Sequence, residues 1–335
     1  MWHFVCYKVN AMRIKYFNCF FTTILFLFIV SCSVNDDELE YTPKSILNLV
    51  EESPNYEILT YALSKTGLSS VLNDENSKYT LFAPSDMVFT RFLSDNGYQG
   101  IDEVPTELLR KILLNHVLGE AFEYRNLTTG YYSTAAQFVK DNYMRNLSMH
   151  IEEVNMRITL NGESMITRGN VRATNGVIHV VNRVVPLPNI VTFAKADKNL
   201  NILLTALTRP DLTSDFPSIL STNSNISPAP FTVFAPTNGA FNDLLNELGL
   251  SQLNDIDEPT LKSTLTYHVI AETVAPSSQL SDNLSLETLG GTITANVTGG
   301  ATLTDGNNRV SNIIAVDIQA DNGVIHVIDK VILPN

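Results

Sequence analysis

A six-residue string that occurs twice constrains this chain more than any other feature. Asn-Gly-Val-Ile-His-Val occupies residues 175–180 and again residues 322–327, which lie 147 positions further along. Chance seldom produces such a match in 335 residues. The chain is therefore predicted to be a tandem repeat of one domain of roughly 145 residues. Asn-Gly before an apolar run is also a strong hairpin signal, so each copy predicts a tight turn leading into a buried strand.

The order of predicted elements is the same in both halves, which we place at residues 43–188 and 189–335. In the first half, apolar residues at helical spacing predict helices over residues 45–52 and 56–65. The pattern then changes to short strands, of which the best candidates are residues 79–83, 131–136, 156–160, 165–167 and 177–185. Because almost no linker separates the halves, we expect a rigid pair of domains.

The first 31 residues differ from the rest of the chain. A basic segment precedes the apolar stretch at residues 17–30, and Ser31 and Cys32 follow it. This order is typical of a signal peptide, and its end resembles the lipobox of bacterial lipoproteins. We predict a signal peptide over residues 1–31, translated from Met1 or from Met12, and lipidation of Cys32. A plain secretory signal and an N-terminal anchor helix are the alternatives.

Residues 32–42 are polar and acidic and are predicted to form a flexible tether. Acids directly after a lipidated cysteine resemble the surface-export signal of Bacteroidetes-type lipoproteins. We therefore expect an outer-membrane lipoprotein of a bacterial cell envelope, exposed at the surface and held in the membrane by the lipid on Cys32. All three cysteines lie within the first 32 residues. Both domains are thus predicted to fold without disulfides or cysteine-bound zinc.

Three motifs resemble the hallmarks of the fasciclin domain family. Residues 80–89 and 232–241, each with Phe-Ala-Pro at the third to fifth positions, are similar to its first hallmark. Residues 175–186 and 322–333 are similar to its second hallmark, and Tyr267-His268 is similar to its central Tyr-His pair. The resemblance covers both halves of the chain, with the motifs in the same order in each.

The resemblance implies an α+β fold of two tandem domains, each a β-wedge of two sheets with a packed helical cluster. It also implies an extracellular adhesion or matrix-interaction module. The first half departs from the family pattern, since Asn115 stands where Tyr267 stands in the second half. A hydrogen bond made by the Tyr267 hydroxyl should therefore be absent there or be made by an amide.

Four histidines first suggest a catalytic or metal site. The two in each half are 63 and 58 residues apart, lack local ligand spacing, and lie in apolar runs. Such positions favour core histidines whose ring nitrogens are both hydrogen-bonded. His150 has no counterpart and is expected to be exposed. We predict structural roles, and no catalytic residue, metal or cofactor, for His116, His179, His268, His326, Tyr267, Asn175, Gly176, Asn322 and Gly323.

Five residues are candidates for facing a ligand. Asp317 and Asp321 lie before Gly323 as in a calcium loop, but the later bidentate Glu is missing. Asp317-Ile318 also aligns with an Asp-Ile pair that some animal fasciclin domains use to engage integrins. A strand-edge residue beside a core Ile is the alternative. Tyr131 and Tyr132 suit sugar stacking, or else half-buried packing.

Charge and motifs restrict the function. A formal net charge of −13 speaks against nucleic acid as a partner. The sequence has no nucleophile elbow, phosphate loop or dinucleotide fingerprint, so we predict that it is not an enzyme. We predict a lipid-anchored adhesion or binding module that recognises an extracellular or envelope protein or glycan through exposed loops and a sheet face. The alternative is an accessory lipoprotein of an outer-membrane glycan-uptake complex, docked on a transporter.

Overall fold

Each half of the chain begins with a cluster of helices and continues into seven strands. The computed structural model describes residues 43–335, which form one compact unit. The predicted signal peptide, Cys32 and the acidic tether lie outside the described residues. Among residues 43–335, none of the helices has both the length and the apolar character needed to cross a bilayer.

The helices alternate with loops around an apolar core in each half. Ser45 and Asn189 occupy matching places and cap the first helix of their half, each accepting a hydrogen bond from a main-chain N–H three residues later. The α-helices are α1 (Ile46–Glu51), α2 (Glu57–Lys65), α3 (Ser69–Leu72), α4 (Asp86–Asp95), α5 (Thr106–Asn115), α6 (Ile190–Ala196), α7 (Asn201–Leu207), α8 (Phe216–Leu220), α9 (Asn238–Leu248) and α10 (Glu258–Tyr267). Short 3-10 helices occupy Ile101–Glu103, Tyr124–Asn126, Lys198–Leu200, Leu253–Asp255 and Ser277–Gln279.

The strands form one seven-stranded system in each half. Those of the first half are β1 (Tyr79–Pro84), β2 (Val117–Leu118), β3 (Gly130–Lys140), β4 (Tyr143–Val154), β5 (Arg157–Leu160), β6 (Ser164–Ala173) and β7 (Gly176–Val181). Those of the second half are β8 (Phe231–Pro236), β9 (Val269–Ile270), β10 (Leu284–Thr288), β11 (Gly291–Asn296), β12 (Thr302–Thr304), β13 (Val310–Ala320) and β14 (Gly323–Ile328). These elements confirm the predicted α+β class.

The two repeated motifs meet in the sheets. β1 runs parallel to β7, with Phe82 opposite His179, and β8 runs parallel to β14, with Phe234 opposite His326. In the first half the β1–β7 pairing closes the sheet into a barrel, whereas the second half has the open order β10-β11-β12-β13-β14-β8-β9. Each Phe-Ala-Pro segment is therefore held by the strand of the repeated string.

The glycine of each repeated string is fixed by close approach of the neighbouring strand. A Cβ on Gly176 would lie 2.0 Å from the carbonyl oxygen of Tyr79, and one on Gly323 would lie 2.2 Å from that of Phe231. Their φ angles of 150° and 157° also favour glycine. Both glycines begin a strand, and the hairpin turn is formed by the two residues before each, which corrects the expectation of an Asn-Gly turn.

The prediction missed β4, and the predicted strand over residues 177–185 ends at Val181. Residues 147–151 of β4 are all buried, because β13 and α6 of the second half pack against this strand in addition to its neighbours in the first half. Two of these residues are Ser148 and His150, which are 9% and 2% exposed. The expectation that His150 is exposed was wrong, since contact with the second half covers it.

Candidate recognition site at the domain junction

The four repeated histidines are held by the main chain on both ring nitrogens. His116 Nδ1–H donates to the carbonyl of Ile112 at 2.8 Å, and its Nε2 accepts from the N–H of Val185 at 2.8 Å. His268 makes the same pair of bonds, at 2.7 Å to Thr264 and 3.2 Å to Ile332. Each ring ties the end of a helix to the segment that follows the last strand of its half.

His179 and His326 use their nitrogens the other way round. The Nε2–H of His179 donates to the Phe122 carbonyl at 2.8 Å, and that of His326 donates to the Ala275 carbonyl at 2.9 Å. Their Nδ1 atoms accept from main-chain N–H groups at 3.3 Å. One donor and one acceptor per ring is the pattern of a neutral imidazole.

Burial keeps these rings neutral. It lowers the pKa of His116 and of His268 to about 4, because a charged ring loses its hydration in the core. Burial also lowers the pKa of His179 and of His326. Among residues 43–335, no three His, Cys, Asp or Glu side chains come together as a metal site.

The repeated asparagines and the Tyr-His position are also bonded to the main chain. Asn322 accepts from the N–H of Ile190 at 3.0 Å and donates to two carbonyls, and Asn175 does the same around Ile46 in the first half. The Tyr267 hydroxyl donates to the Thr292 carbonyl at 2.7 Å. At the matching place the side-chain amide of Asn115 donates a hydrogen bond to the Pro186 carbonyl at 3.1 Å. A hydrogen bond from an amide therefore stands where the second half has one from a hydroxyl.

Asp317 and Ile318 do not face solvent, which corrects their prediction as ligand-facing residues. Ile318 is 3% exposed and belongs to the apolar core of the second half. The Asp317 carboxylate accepts from the N–H of Ser277 at 2.7 Å and from its hydroxyl at 2.5 Å. It also pairs at 3.0 Å with Arg145 of the first half. Asp317 therefore helps to dock one half on the other.

A buried polar row continues this docking along β4 and β13. The hydroxyl of Tyr143 donates to Gln319 Oε1 at 2.8 Å, and the Gln319 N–H donates to the Ser148 hydroxyl at 3.0 Å. Gln319 is fully buried, and its amide N–H groups donate to two carbonyls of the second half. All polar groups of this side chain are thus satisfied, so the row fixes the two halves in register.

Tyr131 and Asp321 occupy two more contacts between the halves. The Tyr131 hydroxyl donates to Asp197 Oδ2 at 3.0 Å, and its ring centroid lies 5.5 Å from that of Phe193. Burial first, and the nearby Asp197 carboxylate second, raise the Tyr131 pKa. Asp321 pairs with Lys111, and its N–H donates to the Pro188 carbonyl at 2.6 Å. Neither residue is free to face a ligand.

Tyr132 packs within the first half. Its ring lies edge-on to Phe122 with centroids 5.2 Å apart, and its hydroxyl accepts from the Thr128 N–H at 3.0 Å. The half-buried alternative therefore describes both tyrosines. Of the five residues predicted to face a ligand, Tyr131, Asp317 and Asp321 contact the other half instead, whereas Ile318 and Tyr132 pack within their own half.

A polar cleft of about 550 Å³ lies beside this interface and is built by both halves. The first half supplies the turn between β3 and β4, and the second half supplies the loop after β9. Asp141 and Glu272 in these two segments have φ angles of 52° and 59°, which few residues other than Gly, Asn and Asp adopt readily. The lining residues are Lys140, Asp141, Asn142, Tyr143, Glu272, Thr273, Val274, Ser278 and Gln279.

The cleft has the volume of a ligand pocket and a mainly polar lining. Its volume falls in the range of ligand pockets, which often form where domains meet. Ammonium, carboxylate, amide and hydroxyl groups surround one aromatic ring, so the cleft can both donate and accept hydrogen bonds. Sequence reasoning missed it, because each segment alone looks like an ordinary polar turn. Only the structure shows that the two turns meet and that Glu272 adopts a positive φ.

Comparison with known proteins follows the same division of the chain. The Fasciclin domain family matches residues 54–188 and again residues 198–334. Human periostin is 29% identical over 260 residues, covering 77% of this chain and 28% of periostin. Transforming growth factor-beta-induced protein ig-h3 of Sus scrofa is 26% identical over 258 residues, covering 76% of this chain and 33% of that protein. The chain thus spans about a third or less of these two animal relatives.

A shorter relative and a solved structure extend the comparison. The protein sll1735 of Synechocystis is 40% identical over 149 residues, which cover 44% of this chain and 98% of that protein. Among solved structures, a FAS1 domain pair from the insect cell adhesion molecule Fasciclin I superposes with a TM-score of 0.51 and 18% identity. The superposition covers 82% of this chain and 97% of the insect pair, so the two share a fold.

Proposed function

The chain belongs to the fasciclin domain family, and from that membership we propose that it is an adhesion or binding module whose recognition site is the cleft at the domain junction. The observation that carries the proposal is the composite lining, to which each half contributes one loop. A site of this kind needs both halves in fixed positions. The contacts of Asp317 and Gln319 with the first half provide that support.

The occupant that fits this cleft is an extracellular or envelope protein segment or a glycan. The lining mixes both signs of charge with amides and hydroxyls, which suits a polar ligand that donates and accepts hydrogen bonds. The insect domain pair, at 18% identity, supports the fold only. The class of function follows from family membership, and its placement in the cleft follows from the composite lining.

A lipid on Cys32 is the proposed means of placing the module on a bacterial envelope. Stable anchoring requires more than one acyl chain, which bacterial lipoproteins provide. Replacing Cys32 with Ser should move the chain out of the membrane fraction or leave its signal peptide uncleaved. Metabolic labelling with an alkyne fatty acid measures the lipid directly. Equal labelling of the chain and the Cys32→Ser variant would rule the anchor out.

Photo-crosslinking on intact cells tests the recognition site. A benzophenone amino acid at Asn142 stands in the cleft, and the same group at exposed Asn76 is the matched control outside its lining. We expect a discrete crosslinked product from position 142 that is absent from position 76. Mass spectrometry then identifies its protein or glycan component, and a transporter subunit would favour the uptake-complex alternative. Equal products at both positions, or none at 142, would contradict the proposal.

A further inference from the structure

A second cavity of about 420 Å³ lies entirely within the first half. It is a groove between α2 and the segment that runs from the end of α4 into the first 3-10 helix. Ile58, Leu93 and Ile101 supply apolar lining, and Tyr98 adds a half-buried aromatic ring. The groove is remote in sequence from the junction cleft and shares none of its lining residues.

The remaining groups that line this groove are polar but uncharged. Thr90, Ser94 and Gln99 are exposed, and Thr90 and Ser94 lie one helical turn apart on α4. None of the described residues forms a hydrogen bond with the side chains of these three residues or with the Tyr98 hydroxyl. Four hydrogen-bonding side chains therefore surround an apolar floor without partners of their own.

The charged side chains beside the groove already have partners, including Lys65, whose ammonium donates to the carbonyl of groove-lining Ile101 at 3.4 Å. Asp102 pairs with Lys65 at 3.0 Å and accepts from the Tyr61 hydroxyl at 2.8 Å. Glu103 accepts from the Gln99 main-chain N–H at 2.7 Å, which leaves the Gln99 carboxamide free. Because these charges already have partners, a charged ligand would lose hydration in the groove without gaining a free counter-charge, which costs binding free energy. A neutral ligand that carries many hydroxyls avoids that cost.

The second half lacks the same combination. Leu250 stands 152 positions after Tyr98, the same interval that separates the two Phe-Ala-Pro motifs. Gln252 stands in place of Gly100, and its carboxamide donates to Asp255 at 3.1 Å. The second half therefore lacks the aromatic ring, and the Gln252 carboxamide is hydrogen-bonded to the Asp255 carboxylate. The groove chemistry is therefore particular to the first half.

We propose that this groove binds a neutral saccharide. The Tyr98 ring packs against the apolar face of one sugar ring, because an aromatic side chain offers a large flat apolar surface with a polar end. Thr90, Ser94 and Gln99 then exchange hydrogen bonds with sugar hydroxyls, since each can donate and accept. This is a second site, beyond the junction cleft, and it stands on separate residues.

Calorimetric titration of the full-length chain in detergent tests the proposal. The probes are neutral hexasaccharides of α-1,4-glucose, β-1,4-glucose, β-1,4-xylose and β-1,4-mannose, with hexagalacturonate as the charged comparison. We expect at least one neutral probe to bind and hexagalacturonate not to bind. Tyr98→Leu, which copies the residue of the second half, should weaken binding about tenfold. Because the Tyr98 ring also packs against the core of the first half, thermal unfolding of the variant checks that it is folded at the temperature of the titration.

A variant of the junction cleft keeps the two sites distinguishable. Tyr143→Leu alters the cleft and not the groove, so it should leave neutral-saccharide affinity unchanged. If Tyr143→Leu abolishes binding while Tyr98→Leu does not, the saccharide belongs to the junction and the groove proposal is wrong. Failure of every neutral probe to bind, or equal binding of hexagalacturonate, also overturns it. Neither result affects the crosslinking test at Asn142.

Discussion

Acidification below neutral pH should destabilise the folded chain through His116 and His268. Burial holds both pKa values at about 4 in the fold, against 6.5 for an exposed imidazole. Between these pH values the unfolded chain binds more protons, so the free energy of unfolding falls as the pH falls. Each ring contributes about 1.4 kcal/mol per pH unit, which amounts to about 3 kcal/mol between pH 7 and pH 4.

The geometry explains why protonation cannot be accommodated. The Nε2 atom of His116 accepts from the Val185 N–H, and a proton on Nε2 would place two donors opposite each other. His268 Nε2 faces the Ile332 N–H in the same way. Burial of the charge and loss of this hydrogen bond therefore act in the same direction.

Urea unfolding followed by circular dichroism at pH values from 7 to 4 measures the effect. Carboxylates also titrate in this range, so the informative quantity is the difference between the chain and His116→Gln, in which the side chain does not titrate. We expect the variant to be less stable at pH 7 but to lose about 3 kcal/mol less on acidification. His268→Gln is the matched variant of the second half. Equal pH dependence in the chain and both variants would refute the reasoning.

Three smaller changes test the repeated string and the junction. Gly323→Ala should cost more than about 3 kcal/mol of stability in urea unfolding, because its Cβ would be directed at the Phe231 carbonyl. The control Gly119→Ala, whose Cβ meets open space, should change stability by less than about 0.5 kcal/mol. Arg145→Met should cost about 1 kcal/mol, a modest value because Arg145 is 43% exposed, and the cost should shrink in an Asp317→Asn background. Tyr131→Phe should cost about 1 kcal/mol by removing the hydroxyl that donates to Asp197, and a stability equal to that of the parent chain would contradict the contact.

Much of the fold could be predicted, because its signals are local. The helix over Glu57–Lys65 follows from apolar spacing, and the strand Tyr79–Pro84 follows from an apolar run that a proline ends. The repeated string shows the tandem arrangement, and its histidines lie in apolar runs that favour burial. The repeat predicts a structural role for Asn175 and Asn322, but only the structure shows which main-chain groups their side chains bind.

The junction could not be predicted, because its contacts join residues that are distant in sequence. Tyr143 and Gln319 are 176 residues apart, and neither carries a local mark of pairing. Ser148 and His150 look like the solvent side of a strand, and only contact with the second half buries them. Asp317 was noticed for its charge, but a carboxylate that binds a ligand and one that docks a domain look alike in sequence.

The fixed position of the two halves is the central claim, and a distance measurement tests it most directly. Spin labels at Met87 and Leu248, which are 80% and 46% exposed, report on the first and second halves in a chain whose three native cysteines are replaced by serine. Double electron–electron resonance should give one narrow distance distribution, which Arg145→Met combined with Tyr143→Phe should broaden. A broad or two-peaked distribution in the otherwise unaltered chain would contradict a preformed cleft between the halves.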